Sequence, residues 1–388
     1  MKIALISDGI YPYVIGGMQK HSASIGVELV SQGYTVDLYH FVIKGNSIPT
    51  SEEVNKFHFN SKKGFNKIYC LYFPTSISFP GHYLLNSYRY SKSVFEIIKK
   101  NNASYDFIYT KGFSGWKLLN EKVKGNFITK VGVKFHGYEM YQYAPNFKIK
   151  VQHLMLRPFV KMINRKADLI FSYGSKITKI IADLGVNKSK ILEIPSAISS
   201  NWVNKNRLSI SNNIKFLFVG RFERRKGIEE INKAILNLSN FNINSEFHFV
   251  GSIPIKNRIK SNKIRVVYHG EIIDEQSKIS IYDNCDVLLC PSYSEGMPNV
   301  ILEAMSRGLI IIATDVGAVN VLVSSKNGIL IKNPKHENIL DAMKILLKTE
   351  NEILLKMKNF SVEMVKSSFI WEKVINHTTK IISSSFKK

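Results

Sequence analysis

Residues 291–308, PSYSEGMPNVILEAMSRG, decide the fold prediction because they join a strand pattern to a helix pattern through a short turn. The preceding run 286–290, DVLLC, is apolar and typical of a buried strand, and residues 300–307 have the pattern of a helix that a glycine ends. Glu295 therefore lies on the loop that leaves the carboxyl end of a strand, and Glu303 lies on the helix that follows.

The turn before this helix is predicted to bind an anion. The backbone amides of Met297, Asn299 and Val300, beside Pro298, fall at the free amino end of the helix, where unpaired N–H groups and the helix dipole favour negative charge. Two carboxylates that accept hydrogen bonds from hydroxyl groups, beside an anion pocket, suit a phosphorylated sugar. Two glutamates taken alone are more often solvated surface groups, so a second motif is needed.

A segment upstream has the layout of a phosphate-binding turn. Residues 216–220, FLFVG, form a β-rich run, and residues 221–227, RFERRKG, lead into a helix predicted over 228–238. The turn carries four cations: Arg221, Arg224, Arg225 and Lys226. Guanidinium and ammonium groups can share the charge of a diphosphate without a metal, and the chain has no Asp-x-Asp motif. Such a run alone is usually a solvated face, but its pairing with the glutamate segment favours a ligand site.

Together these two segments resemble the retaining nucleotide-sugar glycosyltransferases of family 4, which have the fold called GT-B. Residues 219–227 match the family's donor-diphosphate turn, and residues 295–303 match its E-x7-E motif. The resemblance continues over nearly the whole chain, at residues 1–8, 16–17, 136–139, 167–172 and 315–318. It implies an α/β fold of two doubly wound, parallel-sheet, Rossmann-like domains that face each other across a cleft.

Length and pattern predict the same division. A chain of 388 residues is too long for one typical core, and segment 195–213, rich in Ser and Asn, is typical of a hinge. We predict an N-terminal acceptor-side domain over residues 1–198 and a C-terminal donor-binding domain over residues 199–369. The resemblance implies that a helix over residues 370–388 packs back on the first domain.

The amino-terminal residues predict a βαβ unit, with strands over 2–7 and 35–41 and a helix over 19–32. Gly16 and Gly17 precede that helix, where a ligand would lie above the strand ends. Glycines there permit close backbone approach, although such a pair is equally common in a plain turn. A full Gly-x-Gly-x-x-Gly fingerprint is missing, which argues against a nicotinamide enzyme.

The resemblance assigns roles to individual residues. It implies that Arg221 and Lys226 neutralise the departing diphosphate with the helix amides and Gly17, in place of a metal, so no metal and no cofactor are expected. Glu303 is implied to bind the ribose hydroxyls, and Glu295 those of the transferred hexose.

Two histidines are also candidates. His136, in the run VKFHGYE, is implied to lie near the sugar C6 hydroxyl or the developing positive charge, although a lone histidine is more often a satisfied structural group. His269 and Gly270 match the loop whose backbone faces the nucleotide base. Segment 45–90 matches nothing in the family, so the acceptor is not predicted.

The large positive net charge of the protein suggests an anionic partner. The formal net charge is +24, and residues 1–200 hold 27 Lys and Arg against 12 Asp and Glu. The basic, helix-like stretch 148–166 predicts either docking on an anionic lipid surface or an ordinary solvated face. A nucleic-acid binder is not supported, because no recognition helix or aromatic platform is present. With no apolar stretch near 18 residues and no secretory region before Asp8, we expect a cytoplasmic protein, which would lie peripherally on the inner face of the membrane if stretch 148–166 docks on lipid.

The resemblance therefore implies a retaining, metal-independent hexosyltransferase. It would move a sugar from a UDP- or GDP-sugar to a saccharide or lipid-linked saccharide in bacterial surface-polysaccharide biosynthesis. The alternatives are a non-catalytic binding subunit of the same fold and a sugar-nucleotide epimerase. The joint presence of Arg221, Lys226, Glu295 and Glu303 speaks against the binding subunit, and epimerases usually lack this pairing of motifs.

Overall fold

A computed structural model describes residues 1–59, 63–77, 79–101, 103–241 and 245–385. Within these residues the strands form two separate sheets whose neighbouring strands all run parallel. This arrangement confirms the predicted α/β class with two doubly wound sheets.

The first sheet has seven strands in the spatial order β3-β2-β1-β4-β5-β6-β7. Its strands are β1 Lys2–Ile6, β2 Thr35–Val42, β3 Lys67–Tyr72, β4 Phe107–Lys111, β5 Lys130–Lys134, β6 Leu169–Ser172 and β7 Ile191–Glu193. The helices between them are α1 Gly17–Ser31, α2 Ser51–His58, α3 His82–Lys100, α4 Trp116–Val123, α5 Phe147–Lys166 and α6 Ser175–Asp183.

The second sheet has six strands in the spatial order β10-β9-β8-β11-β12-β13. Its strands are β8 Ile214–Val219, β9 Ser245–Val250, β10 Arg265–Gly270, β11 Val287–Cys290, β12 Ile310–Thr314 and β13 Gly328–Ile331. Its helices are α7 Ile228–Leu238, α8 Glu275–Asp283, α9 Asn299–Ser306, α10 Val319–Leu322, α11 His336–Leu347 and α12 Asn351–Ser368, and α13 Trp371–Ser385 ends the described chain.

The two sheets share part of their core. One buried apolar cluster includes Val133 in the first sheet, Leu288 in the second, and Met297 in the loop between β11 and α9. Helix α13 contacts α1 of the first domain, and residues 386–388 of the helix predicted over 370–388 lie outside the described residues. The segment predicted as a hinge, 195–213, connects the sheets and includes a 3-10 turn at Ser200–Trp202.

Some predicted boundaries are wrong. The strand predicted over 2–7 ends at Ile6, and the helix predicted over 19–32 begins at Gly17. Strand β3 and the first part of helix α3 lie in segment 45–90, which matches nothing in the family. Strand β3 is an edge strand with only partly buried side chains, so it lacks the continuous apolar run that marks the central strands.

A buried ion pair ties α12 to the start of β11. Nζ of Lys358 lies 2.9 Å from Oδ1 of Asp286, and their side chains are only 5% and 3% exposed. The backbone amide of Lys215 donates to the other carboxylate oxygen at 3.1 Å. Asp286 therefore joins α12 to strand β8 as well.

Replacing Lys358 with alanine is expected to lower the free energy of unfolding by about 3–5 kcal/mol, because the Asp286 carboxylate would stay buried without its cation. The matched control is Lys356→Ala on the same helix, which removes only an exposed pair with Glu352 and should cost less than about 1 kcal/mol. Urea unfolding followed by circular dichroism measures both. Equal effects of the two substitutions would contradict the structural role of the buried pair.

Candidate active site between the two domains

The loop that follows β11 is held against the first domain by its backbone. A Cβ atom at Gly296 would overlap the carbonyl oxygen of His136, so only glycine permits this approach. The side chain of Gln142 donates to the carbonyl of Glu295 at 2.7 Å and accepts from its amide at 3.3 Å. These contacts fix the position of Glu295 from the opposite domain.

The carboxylate of Glu295 is paired with cations of the basic turn. Its Oε1 lies 2.6 Å from Nζ of Lys226 and 3.5 Å from Nη1 of Arg225, and the side chain is 9% exposed. Burial acts to raise the pKa of Glu295, but the charges of Lys226 and Arg225 outweigh it and lower the pKa below its ordinary value. Glu295 is therefore ionised at neutral pH and suited to accept hydrogen bonds rather than to donate a proton.

The turn that carries Lys226 is shaped by Gly227, whose φ of +72° ends a 3-10 turn and begins α7. Arg224 forms two hydrogen bonds to Glu230, at 2.9 and 2.6 Å, and lies over the ring of Tyr293. These contacts hold the turn beside the glutamate loop.

Arg221 has a different position. Its side chain is 80% exposed and its ion pair is with Glu223, at 2.8 Å. The structure therefore brings Lys226 and Arg225 to Glu295, and it does not bring Arg221 there.

The amino ends of α9 and α1 lie close together. A Cβ at Gly17 would be 3.8 Å from Nδ2 of Asn299, and neither helix has an acidic residue in its first turn or a side-chain cap. Ser196 donates from its hydroxyl to Oδ1 of Asn299 at 2.8 Å and from its amide to the sulfur of Met297 at 3.1 Å. Two helix ends that present free N–H groups to one space form a favourable anion site. Gly16 precedes α1, and Pro298 and Val300 flank Asn299, as the sequence predicted.

Glu303 lies on α9 and is held by two neighbours. Its Oε2 accepts from Nζ of Lys278 at 2.6 Å and from the hydroxyl of Tyr282 at 2.7 Å. Burial, followed by the charge of Glu303, raises the pKa of Tyr282, which therefore stays protonated and keeps donating. The structure places Glu303 near the predicted site but not in contact with Glu295.

His136 contributes its backbone to the Gly296 contact and its ring to a separate hydrogen bond. Nδ1 lies 2.8 Å from the hydroxyl of Tyr173. Burial, followed by the charges of Lys111 and Lys134, lowers the pKa of His136 well below its ordinary value. The ring is therefore neutral at physiological pH.

The side chain of His269 lies in a separate small cavity, beside His248. Its Nε2 lies 3.0 Å from Nδ1 of His248, and both line a small cavity of about 220 Å³ together with Lys215 and Glu246. Gly270 ends β10, and its carbonyl accepts from the amide of Gly251 at 2.7 Å. The sequence-based role concerned the backbone of this loop, and it stays a prediction.

A larger cavity of about 820 Å³ opens between the domains beside this site. It is lined by Lys20 and Ser24 of α1, by Ile273 and Asp274 before α8, and by Trp371 of α13. Its lining does not include Glu295 or Lys226.

The described residues offer neither a metal-binding cluster nor a membrane-spanning helix. They contain no cluster of three or more His, Cys, Asp or Glu side chains arranged to hold a metal ion. No helix in the same part of the chain is both long and apolar enough to cross a bilayer.

Several residues that shape the site were not assigned individual roles from the sequence: Gln142, Ser196, Tyr293, Lys278 and Tyr282. Tyr293 lies two residues before Glu295, and the other four come from distant parts of the chain where no local pattern marks them. Arg225, which contacts Glu295, also had no individual role, and the sequence marked it only as a member of the basic run 221–227.

Comparison with known proteins agrees with this geometry. Residues 213–349 match the family described as glycosyl transferases group 1. An uncharacterised glycosyltransferase of Methanocaldococcus jannaschii is 26% identical, with 97% of each chain covered. An N,N'-diacetylbacillosaminyl-diphospho-undecaprenol alpha-1,3-N-acetylgalactosaminyltransferase of Campylobacter jejuni is 24% identical over 61% of this chain and 62% of its own.

Solved structures share the fold over the whole chain. Sucrose-phosphate synthase from Thermosynechococcus elongatus superposes with a TM-score of 0.76 at 21% identity, covering 100% of this chain and 99% of that one. HepE of Anabaena in complex with UDP gives a TM-score of 0.68 at 16% identity, covering 99% and 100%. The chain therefore has the GT-B fold of a glycosyltransferase, and its residues 213–349 are similar to the family of glycosyl transferases group 1.

Proposed function

We propose that this glycosyltransferase is a retaining, metal-independent hexosyltransferase of family 4 that uses a nucleotide-sugar donor. The acceptor is a saccharide or lipid-linked saccharide of bacterial surface-polysaccharide biosynthesis. The contact of Lys226 with Glu295, beside the amino ends of α1 and α9, carries the proposal, because it places a cation and free amides next to a hydroxyl-accepting carboxylate.

The comparisons support the donor and the acceptor class. HepE, which shares the fold, binds UDP, and the Campylobacter relative acts on a sugar carried by diphospho-undecaprenol. A UDP- or GDP-sugar and a lipid-linked saccharide are therefore the substrates proposed for this chain.

In the proposed reaction the diphosphate lies between the helix ends and Lys226. Their positive charge stabilises the leaving group as the bond from the sugar to the diphosphate breaks. The acceptor hydroxyl attacks from the same face, and a leaving phosphate oxygen takes its proton. Glu295 accepts hydrogen bonds from the sugar, and Glu303 from the ribose.

The surface of the first domain also supports contact with an anionic membrane. Phe147, Val151, Leu154 and Met155 follow helical spacing along α5 and are all exposed, Phe147 by 79%. A Cβ at Gly81 would lie 3.9 Å from Cε of Met155, which brings the exposed loop before α3 beside this stripe.

Charge complements that apolar stripe. Residues 140–167 contain no acidic residue and six cations, and Lys148 and Lys150 are exposed beside Phe147. An apolar stripe bordered only by cations is typical of a helix that lies at the interface of an anionic bilayer. We therefore propose that the enzyme binds peripherally to the inner face of the cytoplasmic membrane.

Changing Lys226 to alanine should weaken nucleoside diphosphate binding at least about tenfold, because a charge-assisted contact to the phosphates is lost. Isothermal titration with UDP and with GDP measures the affinity. Lys233→Ala, on the exposed side of α7, is the matched control and should bind as the wild type does. Unchanged affinity in Lys226→Ala would rule out its diphosphate role.

Changing Glu295 to glutamine should lower sugar transfer about 100-fold or more while leaving nucleoside diphosphate affinity within a few-fold, because the sugar loses its ionised acceptor. Transfer is measured as acceptor-dependent release of the nucleoside diphosphate. Glu229→Gln, an exposed carboxylate on α7, serves as the control. Full activity of Glu295→Gln would remove this carboxylate from the site.

Vesicle co-sedimentation should require anionic lipid and decline as salt rises, since each lysine near the surface contributes about 1 kcal/mol. The double change Lys148→Glu and Lys150→Glu should abolish it. Lys348→Glu with Lys356→Glu makes the same charge change on the second domain and should retain binding. Equal loss in both double variants would show that net charge alone, and not α5, drives the interaction.

A further inference from the structure

A groove of about 650 Å³ lies between helices α3, α4 and α5 of the first domain. Its volume is within the range of about 300–1,000 Å³ that is usual for small-ligand pockets. Most of its wall is apolar, and the side chains that form this part are Leu84, Leu85, Tyr88, Trp116, Phe159 and Met162. The proposed transfer reaction uses none of these residues.

Aromatic rings form the floor of the groove. Trp116 is 8% exposed, and the centroid of its ring lies 5.2 Å from that of Tyr88 and 5.3 Å from that of Phe159. Apart from the Tyr88 hydroxyl and the Trp116 indole N–H, this part of the wall has no polar side-chain group that forms strong hydrogen bonds. A bound peptide would bury backbone N–H and C=O groups here with few partners, whereas a hydrocarbon chain has no polar group to satisfy.

The end of the groove beside the last turn of α4 is cationic. Nζ of Lys117 lies 2.7 Å from Oε1 of Glu121, and Nζ of Lys124 lies 3.5 Å from the same oxygen. Lys166 donates to Oδ1 of Asn120, the neighbour of Glu121, at 2.8 Å. All five residues line the groove. Three ammonium groups therefore surround one carboxylate, which leaves positive charge for the phosphate of a ligand.

The groove continues the exposed apolar stripe of α5. Val151 and Met155, which are 40% and 38% exposed, are followed at helical spacing by Phe159 and Met162, which line the groove. Val123, at the end of α4, also lines the groove and is 64% exposed. The surface proposed to face an anionic membrane therefore extends to the open side of the groove.

The topology of the sheet separates the cationic end from the candidate active site. Helix α4 follows β4 and runs back along the sheet toward the amino ends of the strands, and α5 ends just before β6 begins. Lys124 and Lys166 therefore lie near the amino ends of the strands, whereas Gly17 and His136 follow the carboxyl ends of β1 and β5. A phosphate held by these lysines belongs to a membrane lipid and not to the carrier of the acceptor sugar.

We propose that this groove binds one anionic phospholipid of the phosphatidylglycerol type, with an acyl chain on the Trp116 floor and the phosphate at Lys117, Lys124 and Lys166. The site rests on the membrane contact of the proposed function and adds to it a single lipid molecule that is neither donor nor acceptor. A second copy of this chain is a poorer occupant, because the formal net charge of +24 opposes self-association.

Quenching of tryptophan fluorescence by bromine tests whether a lipid chain enters the groove. Vesicles of phosphatidylglycerol brominated on the acyl chains should quench the wild type, and Trp116→Phe should lose most of that quenching while it still co-sediments with the vesicles. Of the three tryptophans in the chain, Trp116 lines the groove. Trp371→Phe, which removes the ring that lines the larger cavity, is the matched control and should be quenched as strongly as the wild type.

Isothermal titration with dihexanoyl phosphatidylglycerol, kept below its critical micelle concentration, tests the same site without a bilayer. The wild type should bind one molecule, and Lys124→Glu should bind it at least about tenfold more weakly through loss of a charge-assisted contact. Dihexanoyl phosphatidylcholine, which has no net charge, should bind the wild type more weakly. Lys179→Glu, on an exposed lysine of α6 outside the groove, is the matched control and should bind as the wild type does.

Equal quenching of the wild type and Trp116→Phe would overturn the groove site even if both bind the vesicles, and so would the absence of binding in the titration. Failure of the membrane contact is distinguishable, because the wild type would then not co-sediment with anionic vesicles, and the titration would decide the groove alone. Tighter binding of a polyprenyl phosphate than of phosphatidylglycerol would assign the groove to the acceptor and overturn the proposal. A wild-type dimer in analytical ultracentrifugation that Val123→Glu converts to a monomer would assign it to a second copy instead.

Discussion

The backbone contact between Gly296 and His136 is the constraint on which the site depends. It joins the loop after β11 to the first domain at a distance that no side chain permits. The paired hydrogen bonds of Gln142 with the backbone of Glu295 act at the same place. Because these contacts fix the backbone at Glu295 and Gly296, the Glu295 carboxylate is held in one position in the cleft. Lys226 of the basic turn forms an ion pair with it there.

The electrostatic potential at this junction is set by two cations that contact a single carboxylate. Lys226 and Arg225 keep Glu295 ionised, while the amino ends of α1 and α9 add positive potential without any side-chain charge. The pair of Lys226 with Glu295 occupies the place of the proposed donor. Binding of a diphosphate would give Lys226 a second anionic partner, and the carboxylate would then be released to sugar hydroxyls.

Much of the fold was predictable because its central strands are apolar runs followed by glycine-rich loops and amphipathic helices. The β8 to α7 and β11 to α9 units were placed within a few residues of their observed bounds. The edge strand β3 was not predicted, because partial burial leaves no continuous apolar pattern. In the site, Glu295, Lys226, Gly17 and Asn299 were identified as candidates, and the structure pairs Glu295 with Lys226 and brings Gly17 close to Asn299.

Sequence alone determined the two parallel α/β sheets, the helix end beside Glu295 and the basic turn, since each depends on local spacing of residue types. Tertiary structure decided which cation meets the carboxylate: Arg225 and Lys226 do, while Arg221 turns to solvent. It also decided the roles of Gln142 and Ser196. These depend on contacts between residues far apart in the chain, whose distances no local pattern of residue types contains.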